Sequence, residues 1–252
     1  MRIVYLLPNF FTLGNIFCGF YAIVSALNGL SNPANADSYY LRAAYVIILA
    51  GFFDVFDGKI ARITNSSSRF GVEFDSLADL VSFGVAPAVL MYLWALKPLG
   101  RVGWLAAFLF VVCGALRLAR FNVLVGTISS EHFIGLPIPF GAWMLASTVI
   151  FRRHWFEKGS LLIAILVYVV AILMVSTIKY RSFKKVSIKG RNPYQATVVA
   201  TIALIIIALK PQFTFFFMSI AYITFGLLEA IPGFDKLLAA FSRNKNASNE
   251  EK

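Results

Sequence analysis

Four aspartates in the first third of the chain have the spacing of a metal-binding site. Asp54 and Asp57 end the apolar run AAYVIILAGFFDVFDG, and Asp75 and Asp79 open the next run, EFDSLADLVSFG. Separations of three and four residues place each pair on one face of a helix. The connection between the runs is short, so the two helices are antiparallel neighbours and the four carboxylates can meet. Oxygen ligands at this density favour Mg²⁺ or Mn²⁺.

Small residues beside the acids would let a bulky ligand approach the backbone. Gly58 and Ala61 continue the face of the first pair, and Gly71 lies one turn before the second pair. Arg62 and Ser68 are placed to meet phosphate groups. Two cations sharing the carboxylates would resemble the two-metal arrangement of phosphoryl transfer. The alternative is a set of solvated charges at helix ends, which leaves the clustering of acids and small residues unexplained.

The same segment resembles a known family. Residues 54–79 read DVFDGKIARITNSSSRFGVEFDSLAD, which matches the signature D-x2-D-G-x2-A-R-x8-G-x3-D-x3-D of the CDP-alcohol phosphatidyltransferases at every fixed position. The stretches LPNFFTLGNIFCGF, ALRLARFNV, GLPIP and MVSTIKYRSFKK are similar to the bacterial phosphatidylserine synthase branch. The resemblance covers roughly residues 7–185 and leaves the last two apolar runs without a signature.

The resemblance implies an enzyme that displaces CMP from CDP-diacylglycerol with an alcohol, which is L-serine in that branch. By position, Asp54, Asp57 and Asp75 would bind a pair of metal ions. Asp79 would take the proton from the attacking hydroxyl and could also touch one metal. The positions assigned to CDP-diacylglycerol binding are Asn9, Thr12, Gly58, Ala61, Arg62, Ser68 and Gly71. The four-aspartate motif leaves glycerol 3-phosphate, inositol and choline open as acceptors, and the resemblance also implies a homodimer.

The composition requires lipid around most of the chain. Of 252 residues, 59% are hydrophobic and only 14% are charged, against roughly 25% in soluble domains. The mean hydropathy is +0.77, which excludes a soluble enzyme. We predict an all-α, polytopic membrane bundle, with one domain over residues 1–241 and a polar cytoplasmic tail over 242–252. About eight membrane-spanning helices are predicted, at 9–29, 40–63, 71–95, 101–122, 136–152, 159–178, 194–210 and 212–231.

The basic residues predict the orientation of the bundle. The net charge is +11, and with both termini on one side, 16 of the 23 Lys and Arg residues lie on that side. The positive-inside rule assigns this side to the cytoplasm, and with it the acidic site. We therefore predict a multi-pass membrane protein, and the resemblance to a bacterial branch implies the bacterial cytoplasmic membrane. In this setting the positive charge indicates contact with anionic lipid and substrate phosphate rather than with nucleic acid.

Two arginines near the cytoplasmic end of a helix are candidates for substrate binding. Arg117 and Arg120 are three residues apart in RLARFN, and an arginine fork can bind either a serine carboxylate or a lipid phosphate. The alternative for both is simple anchoring at the membrane surface.

A membrane transporter and a structural membrane protein are the two alternatives to an enzyme. A transporter would use embedded acids to line a path between both faces, but the acids gather on one side. A structural protein that binds acidic lipid leaves the acidic cluster unexplained. An enzyme is therefore favoured.

Overall fold

Two long apolar helices pair at the start of the chain. The structure is a computed structural model, and it describes residues 6–63, 68–124, 132–151, 160–181, 201 and 211–229. Helix α1 spans Leu6–Ser31 and helix α2 spans Ala36–Ile63, with a 3₁₀ turn at Pro33–Asn35 between them. This connection is short, so α1 and α2 run antiparallel and the first turns of α1 lie beside the last turns of α2.

Alanines allow the α1–α2 pair to pack closely. Ala22 and Ala26 of α1 and Ala43 and Ala44 of α2 have no exposed surface. Small residues let helix backbones approach, which is the usual way that helices associate in lipid. Large apolar side chains such as Phe17, at 66% exposure, face outward, as expected where the solvent is hydrocarbon.

The third membrane segment is one irregular helical column. Helix α3 spans Arg69–Asp79, a π-helical turn follows at Leu80–Val85, and α4 spans Ala86–Met91. A second π-helical turn at Tyr92–Leu96 and a 3₁₀ turn at Lys97–Leu99 complete the column. The hydroxyl of Ser68 caps α3 by accepting from the backbone N–H of Gly71 at 3.0 Å. The first π-helical turn begins directly after Asp79, and such wide turns are frequent at functional sites.

The remaining elements surround this core. Helix α5 spans Arg101–Leu124, α6 spans Ile138–Phe151, α7 spans Leu161–Val175 and α8 spans Pro211–Glu229. Helix α5 packs on α7, and α6 packs on both α2 and α8. The strands β1 (His132–Ile134) and β2 (Lys179–Arg181) form an antiparallel ribbon in which Phe133 is opposite Tyr180.

The prediction of an all-α membrane bundle is confirmed. Within the described ranges, four helical segments are long and apolar enough to span a membrane: Asn9–Ser31, Pro33–Ala61, Arg69–Leu99 and Arg101–Leu124. Three shorter apolar helices correspond to the predictions at 136–152, 159–178 and 212–231. The predicted helix 194–210, apart from Thr201, and the predicted tail 242–252 lie outside the described residues.

The prediction of a helix to residue 178 is wrong, because α7 ends at Val175. The turn before α6 binds backbone carbonyls at the end of α7. The N–H of Leu136 donates to the carbonyl of Leu173 at 3.0 Å, and the N–H of Gly135 donates to Ile178 at 2.8 Å. Gly135 has a φ of 79°, a conformation that glycine adopts without strain. Carbonyls at a helix end need such partners, and the chain then continues into β2.

Candidate active site

Three of the four predicted metal ligands meet at one end of the bundle. One carboxylate oxygen from each of Asp54, Asp57 and Asp75 lies within 4.8 Å of the others. Asp54 and Asp57 come from the last turns of α2, and Asp75 comes from the middle of α3. Asp57 is only 4% exposed, and Oδ1 of Asp75 is buried with no hydrogen-bond partner among the described residues. The structure therefore brings these three residues together, as their spacing predicted.

The fourth acid, Asp79, is not one of the three whose oxygens lie within 4.8 Å of one another, and it has a partner of its own. It is 9% exposed, and its Oδ1 accepts a hydrogen bond from Nδ2 of Asn15 at 3.0 Å. Asp79 remains within electrostatic range of Asp54 and Asp75. Asp79 is thus held by a neutral donor beside the acidic cluster.

Asn15 was not among the predicted site residues. It is fully buried, and it lies on the same face of α1 as Thr12 and Gly19, at spacings of three and four residues. The sequence already contains this signal, because polar residues on one face of an otherwise apolar helix indicate a buried functional surface.

Close packing sets the position of this face of α1. The hydroxyl of Ser82, in the first π-helical turn, donates to the carbonyl of Asn15 at 2.8 Å. A Cβ at Gly19 would overlap the Ser82 hydroxyl and would lie 2.7 Å from the Ser82 Cα. Only glycine permits this approach at position 19, which brings α1 against the segment that follows Asp79.

The residues assigned to CDP-diacylglycerol lie in three places. Oγ1 of Thr12 donates to Oδ2 of Asp57 at 3.2 Å, so in this structure Thr12 orients a carboxylate. Gly71 lies between Ser68 and Asn9, because a Cβ there would be 3.2 Å from Ser68 Oγ and 3.7 Å from Asn9 Oδ1. These three residues form a polar edge at the start of α3, next to the acids.

Three assigned positions lie on the last turns of α2. Gly58 and Ala61 are half-buried, so neither adds bulk beside Asp57. Arg62 belongs to α2, and its side chain lies outside what the structure describes.

The two candidate arginines have different neighbours. Arg117 is 8% exposed and lies within electrostatic range of Asp79 and Asp54. Its Nε has no hydrogen-bond partner among the described residues. Nη1 of Arg120 donates to the backbone carbonyl of Ser176 at 3.4 Å, which ties α5 to the end of α7. Arg117 therefore belongs to the acidic site, whereas Arg120 makes a structural contact.

A polar clamp also joins α3 to α5 near the site. Nδ2 of Asn122 donates to Oγ of Ser76 at 3.0 Å and approaches Oε2 of Glu73 at 3.4 Å. Ser76 directly follows Asp75, so this clamp fixes the helix face that presents the acid.

The acidic group fits a divalent cation. Its donors are carboxylate oxygens, the ligand type that Mg²⁺ and Mn²⁺ prefer. One of them, the buried Oδ1 of Asp75, has no hydrogen-bond partner in the described part of the chain and is available as a ligand. Three carboxylates this close would repel one another strongly in a medium of low dielectric constant without a compensating positive charge.

The chain is similar to proteins of a known family. The family model for CDP-alcohol phosphatidyltransferase matches residues 5–178. A relative from Helicobacter pylori is 35% identical over 248 residues, covering 97% of this chain and 98% of that protein. One from Bacillus subtilis is 41% identical over 180 residues, covering 71% of this chain and 92% of that protein. A third, from Mycobacterium tuberculosis, is 36% identical over 228 residues, covering 86% and 75%. All three are named CDP-diacylglycerol–serine O-phosphatidyltransferase.

Proposed function

The chain belongs to the CDP-alcohol phosphatidyltransferase family, and on that premise we propose that it transfers the phosphatidyl group of CDP-diacylglycerol to L-serine. The products are phosphatidylserine and CMP. The observation that carries the proposal is the convergence of Asp54, Asp57 and Asp75 within 4.8 Å, with Asp79 held beside them by Asn15. The names of the relatives support serine as the acceptor.

The bond changes of this reaction require a base, and we assign that role to Asp79. The serine hydroxyl oxygen forms a bond to the β-phosphorus of CDP-diacylglycerol, and the bond from that phosphorus to the bridging oxygen of the pyrophosphate breaks. CMP leaves with that oxygen. A serine hydroxyl is a weak nucleophile and needs an aligned base. Asp79 is the acid outside the cluster of three, so it is the carboxylate that takes the hydroxyl proton.

The other residues bind and orient the substrates. Asp54, Asp57 and Asp75 would hold Mg²⁺ or Mn²⁺, two ions in our proposal, and Thr12 orients Asp57 for this purpose. When bound, the cations supply positive charge that neutralises the pyrophosphate and the leaving CMP. Asn9, Ser68 and Gly71 form the polar edge that meets the nucleotide, together with Gly58, Ala61 and Arg62. Arg117 binds the serine carboxylate.

The location of the site suits a substrate with one part in lipid and one in water. We propose that the end of the bundle with the acids faces the cytoplasm of a bacterial cell, where serine and CMP are soluble, while the acyl chains stay in the bilayer. We propose a single domain over residues 1–241 from the composition of the chain, and a homodimer from the family resemblance.

A direct assay tests the reaction and the acceptor together. Purified protein in mixed micelles receives CDP-diacylglycerol, Mg²⁺ or Mn²⁺, and either L-serine, glycerol 3-phosphate, inositol or choline. We expect CMP release and a new phospholipid with serine alone. Product formation with another alcohol would reassign the acceptor and keep the reaction class, whereas no CMP release with any alcohol would contradict the reaction class.

A further inference from the structure

One buried polar atom of α1 has no role in the chemistry described above. Asn15 is fully buried, and its Oδ1 has no hydrogen-bond partner among the described residues. A buried acceptor without a donor costs free energy, and buried polar atoms in proteins are nearly always hydrogen-bonded. An unpartnered acceptor beside Asp79 therefore indicates a donor on the molecule that binds there.

Asp79 fixes the direction of the Asn15 amide. Nδ2 of Asn15 donates to Oδ1 of Asp79 at 3.0 Å. An ionised carboxylate only accepts hydrogen bonds, whereas a side-chain amide has a donor end and an acceptor end. With its N–H end on the carboxylate, the amide has its oxygen at the other end, directed away from Asp79. The same side chain thus holds the proposed base and offers an acceptor next to it.

Packing keeps this amide in place. The backbone carbonyl of Asn15 accepts a hydrogen bond from the Ser82 hydroxyl at 2.8 Å. Ser82 is fully buried, and Gly19, one turn after Asn15 on α1, lies against the Ser82 backbone. Asn15 is therefore anchored at its main chain and at the N–H end of its side chain, and its oxygen remains for a ligand.

The polar groups of serine identify the donor that fits. The serine carboxylate has neither an N–H nor an O–H group, and the hydroxyl gives its proton to Asp79 in the proposed reaction. The ammonium has three N–H donors, and the proposed function, which uses Arg117 for the carboxylate, leaves it without a binding group. The hydroxyl and the ammonium are on neighbouring carbon atoms of serine. A serine whose hydroxyl lies at Asp79 therefore brings its ammonium to the adjacent amide.

We propose that Asn15 is a specificity-determining residue: its Oδ1 accepts a hydrogen bond from the ammonium of the acceptor serine, while its Nδ2 holds Asp79. This inference rests on the proposed function and names the group by which the acceptor is recognised. The preferred alcohol then needs an N–H donor beside its hydroxyl, which glycerol 3-phosphate, inositol and choline lack. The competing explanations are that Asn15 only supports Asp79, or that its oxygen binds a cation.

The test compares two acceptors that differ in one group. The analogue 3-hydroxypropionate has the hydroxyl and the carboxylate of serine, with hydrogen in place of the ammonium. With CDP-diacylglycerol and Mg²⁺ or Mn²⁺ in mixed micelles, we expect wild-type protein to prefer serine by about tenfold or more in kcat/KM. The reason is that a site built to hydrogen-bond a substrate group rejects the analogue that leaves its polar atom unpaired. A wild-type ratio near one would overturn the proposal.

Two variants of Asn15 separate recognition from support of Asp79. Asn15→Leu removes the acceptor and keeps a similar size, so the ratio of kcat/KM for serine to that for 3-hydroxypropionate should fall about tenfold or more. Turnover with both acceptors should also fall, because Asp79 loses its donor. Asn15→Asp keeps an acceptor oxygen and should keep the preference for serine at a lower turnover.

The same two variants can contradict the proposal. An equal loss with both acceptors in Asn15→Leu would overturn it, and would leave Asn15 as a support for Asp79 or as a cation ligand. A preference lost in Asn15→Asp to the same extent as in Asn15→Leu would also overturn it.

Ser25→Ala is the matched control for a lost buried hydrogen bond on α1. Oγ of Ser25 donates to the carbonyl of Tyr39 at 2.8 Å, and Ser25 is 3% exposed. It lies ten residues after Asn15, about 15 Å along the helix axis. We expect a lower melting temperature and an unchanged ratio between the two acceptors. A ratio that falls as far as in Asn15→Leu would show general loosening of α1 and would contradict a specific role.

Binding decides if a turnover is too low to measure. A bound ligand raises the melting temperature by mass action, and we expect a larger rise from L-serine than from 3-hydroxypropionate in wild-type protein and equal rises in Asn15→Leu. Equal rises in wild type, or an undiminished difference in Asn15→Leu, would overturn the proposal. Wild-type protein that releases no CMP with serine would contradict the proposed function and this inference with it. Serine turnover in wild type with an unchanged ratio in Asn15→Leu would contradict this inference alone.

Discussion

At the residue scale, the four aspartates divide into two environments. Asp54, Asp57 and Asp75 share a space small enough for their oxygens to bind a common cation. Asp79 receives a hydrogen bond from the amide of Asn15 and is nearly buried. A carboxylate held by a neutral donor keeps one oxygen free to accept a proton, which is the requirement for a base.

The first prediction concerns the cluster. Asp54→Asn, Asp57→Asn and Asp75→Asn should each remove nearly all transferase activity and leave the melting temperature close to wild type, because an amide keeps the shape and loses the charge that a cation requires. CMP release is measured across a Mg²⁺ and Mn²⁺ titration. Asp37→Asn, the same change at an exposed acid in the first turn of α2 and at the opposite end of that helix from the cluster, is the matched control and should keep its activity. Wild-type turnover by Asp57→Asn at limiting metal would contradict the assignment.

The second prediction separates a base from a ligand at Asp79. Asp79→Asn should still bind a CDP-lipid in a metal-dependent way, while turnover with serine falls by roughly 10²-fold or more, the scale of a positioned base. Binding is measured by titrating a CDP-lipid at several metal concentrations, with Asp54→Asn as the reference for a lost ligand. If both variants lose binding in parallel, Asp79 acts mainly as a metal ligand.

At the element scale, the contact between α1 and the first π-helical turn aligns the site. Thr12, Asn15 and Gly19 lie on one face of α1, and they contact Asp57, Asp79 and Ser82 respectively. The wide turn at Leu80–Val85 places Ser82 against α1, where its hydroxyl donates to the carbonyl of Asn15. The position of α1 along this contact therefore sets two hydrogen bonds to the acids at once.

The third prediction tests this alignment. In Gly19→Ala the new Cβ would meet the backbone of Ser82, so α1 must move away from the π-helical turn. We expect a loss of about 1–3 kcal/mol in stability, the usual cost of overpacking, and a fall in turnover because Asn15 and Thr12 move with α1. Melting temperature and CMP release are measured side by side.

The neighbouring residue supplies the control for Gly19→Ala. Phe20 is 62% exposed on the lipid side of the same helix turn, so Phe20→Leu should change neither property. Normal stability and activity in Gly19→Ala would show that the contact with Ser82 does not align the site.

At the scale of the whole molecule, the buried acids of the described residues, Asp57 and Asp79, lie with Asp54 and Asp75 at one end of the bundle. The first turns of α1, the last turns of α2, the start of α3 and the end of α5 meet there, through the contacts of Thr12 with Asp57 and of Ser76 with Asn122. Lys97 and Arg101 lie at the opposite end of the third segment and are exposed. This asymmetry fits an enzyme working at one membrane surface better than a transporter, which needs a path to both.

The fourth prediction concerns orientation. With 16 of 23 basic residues assigned to the side of the acids, this side should be cytoplasmic. The two free cysteines, Cys18 and Cys113, are buried and are first replaced by alanine. In intact cells, a membrane-impermeant thiol reagent should label Lys97→Cys and should leave Lys185→Cys unlabelled until the cells are opened. Labelling of Lys185→Cys in intact cells would reverse the predicted orientation of the bundle.

The sequence by itself determined the class of protein and the residues that could hold a cation. Apolar runs of sufficient length require a membrane whatever their packing, and acids three or four residues apart share a helix face in any fold. These are local properties, so the helices at 40–63 and 101–122 are confirmed with nearly the predicted bounds. The sequence also contained the stripe of Thr12, Asn15 and Gly19, whose partners could not be read from it.

Only the tertiary structure decided which neighbours these side chains meet. Contacts between helices depend on how each helix is rotated and shifted, and these are set by close approaches such as Gly19 on Ser82. Arg117 and Arg120 show the consequence. They are three residues apart on α5, so their directions differ by only about 60° around the helix axis. With that difference Arg117 is buried at the acidic end of the bundle, whereas Arg120 donates to the carbonyl of Ser176.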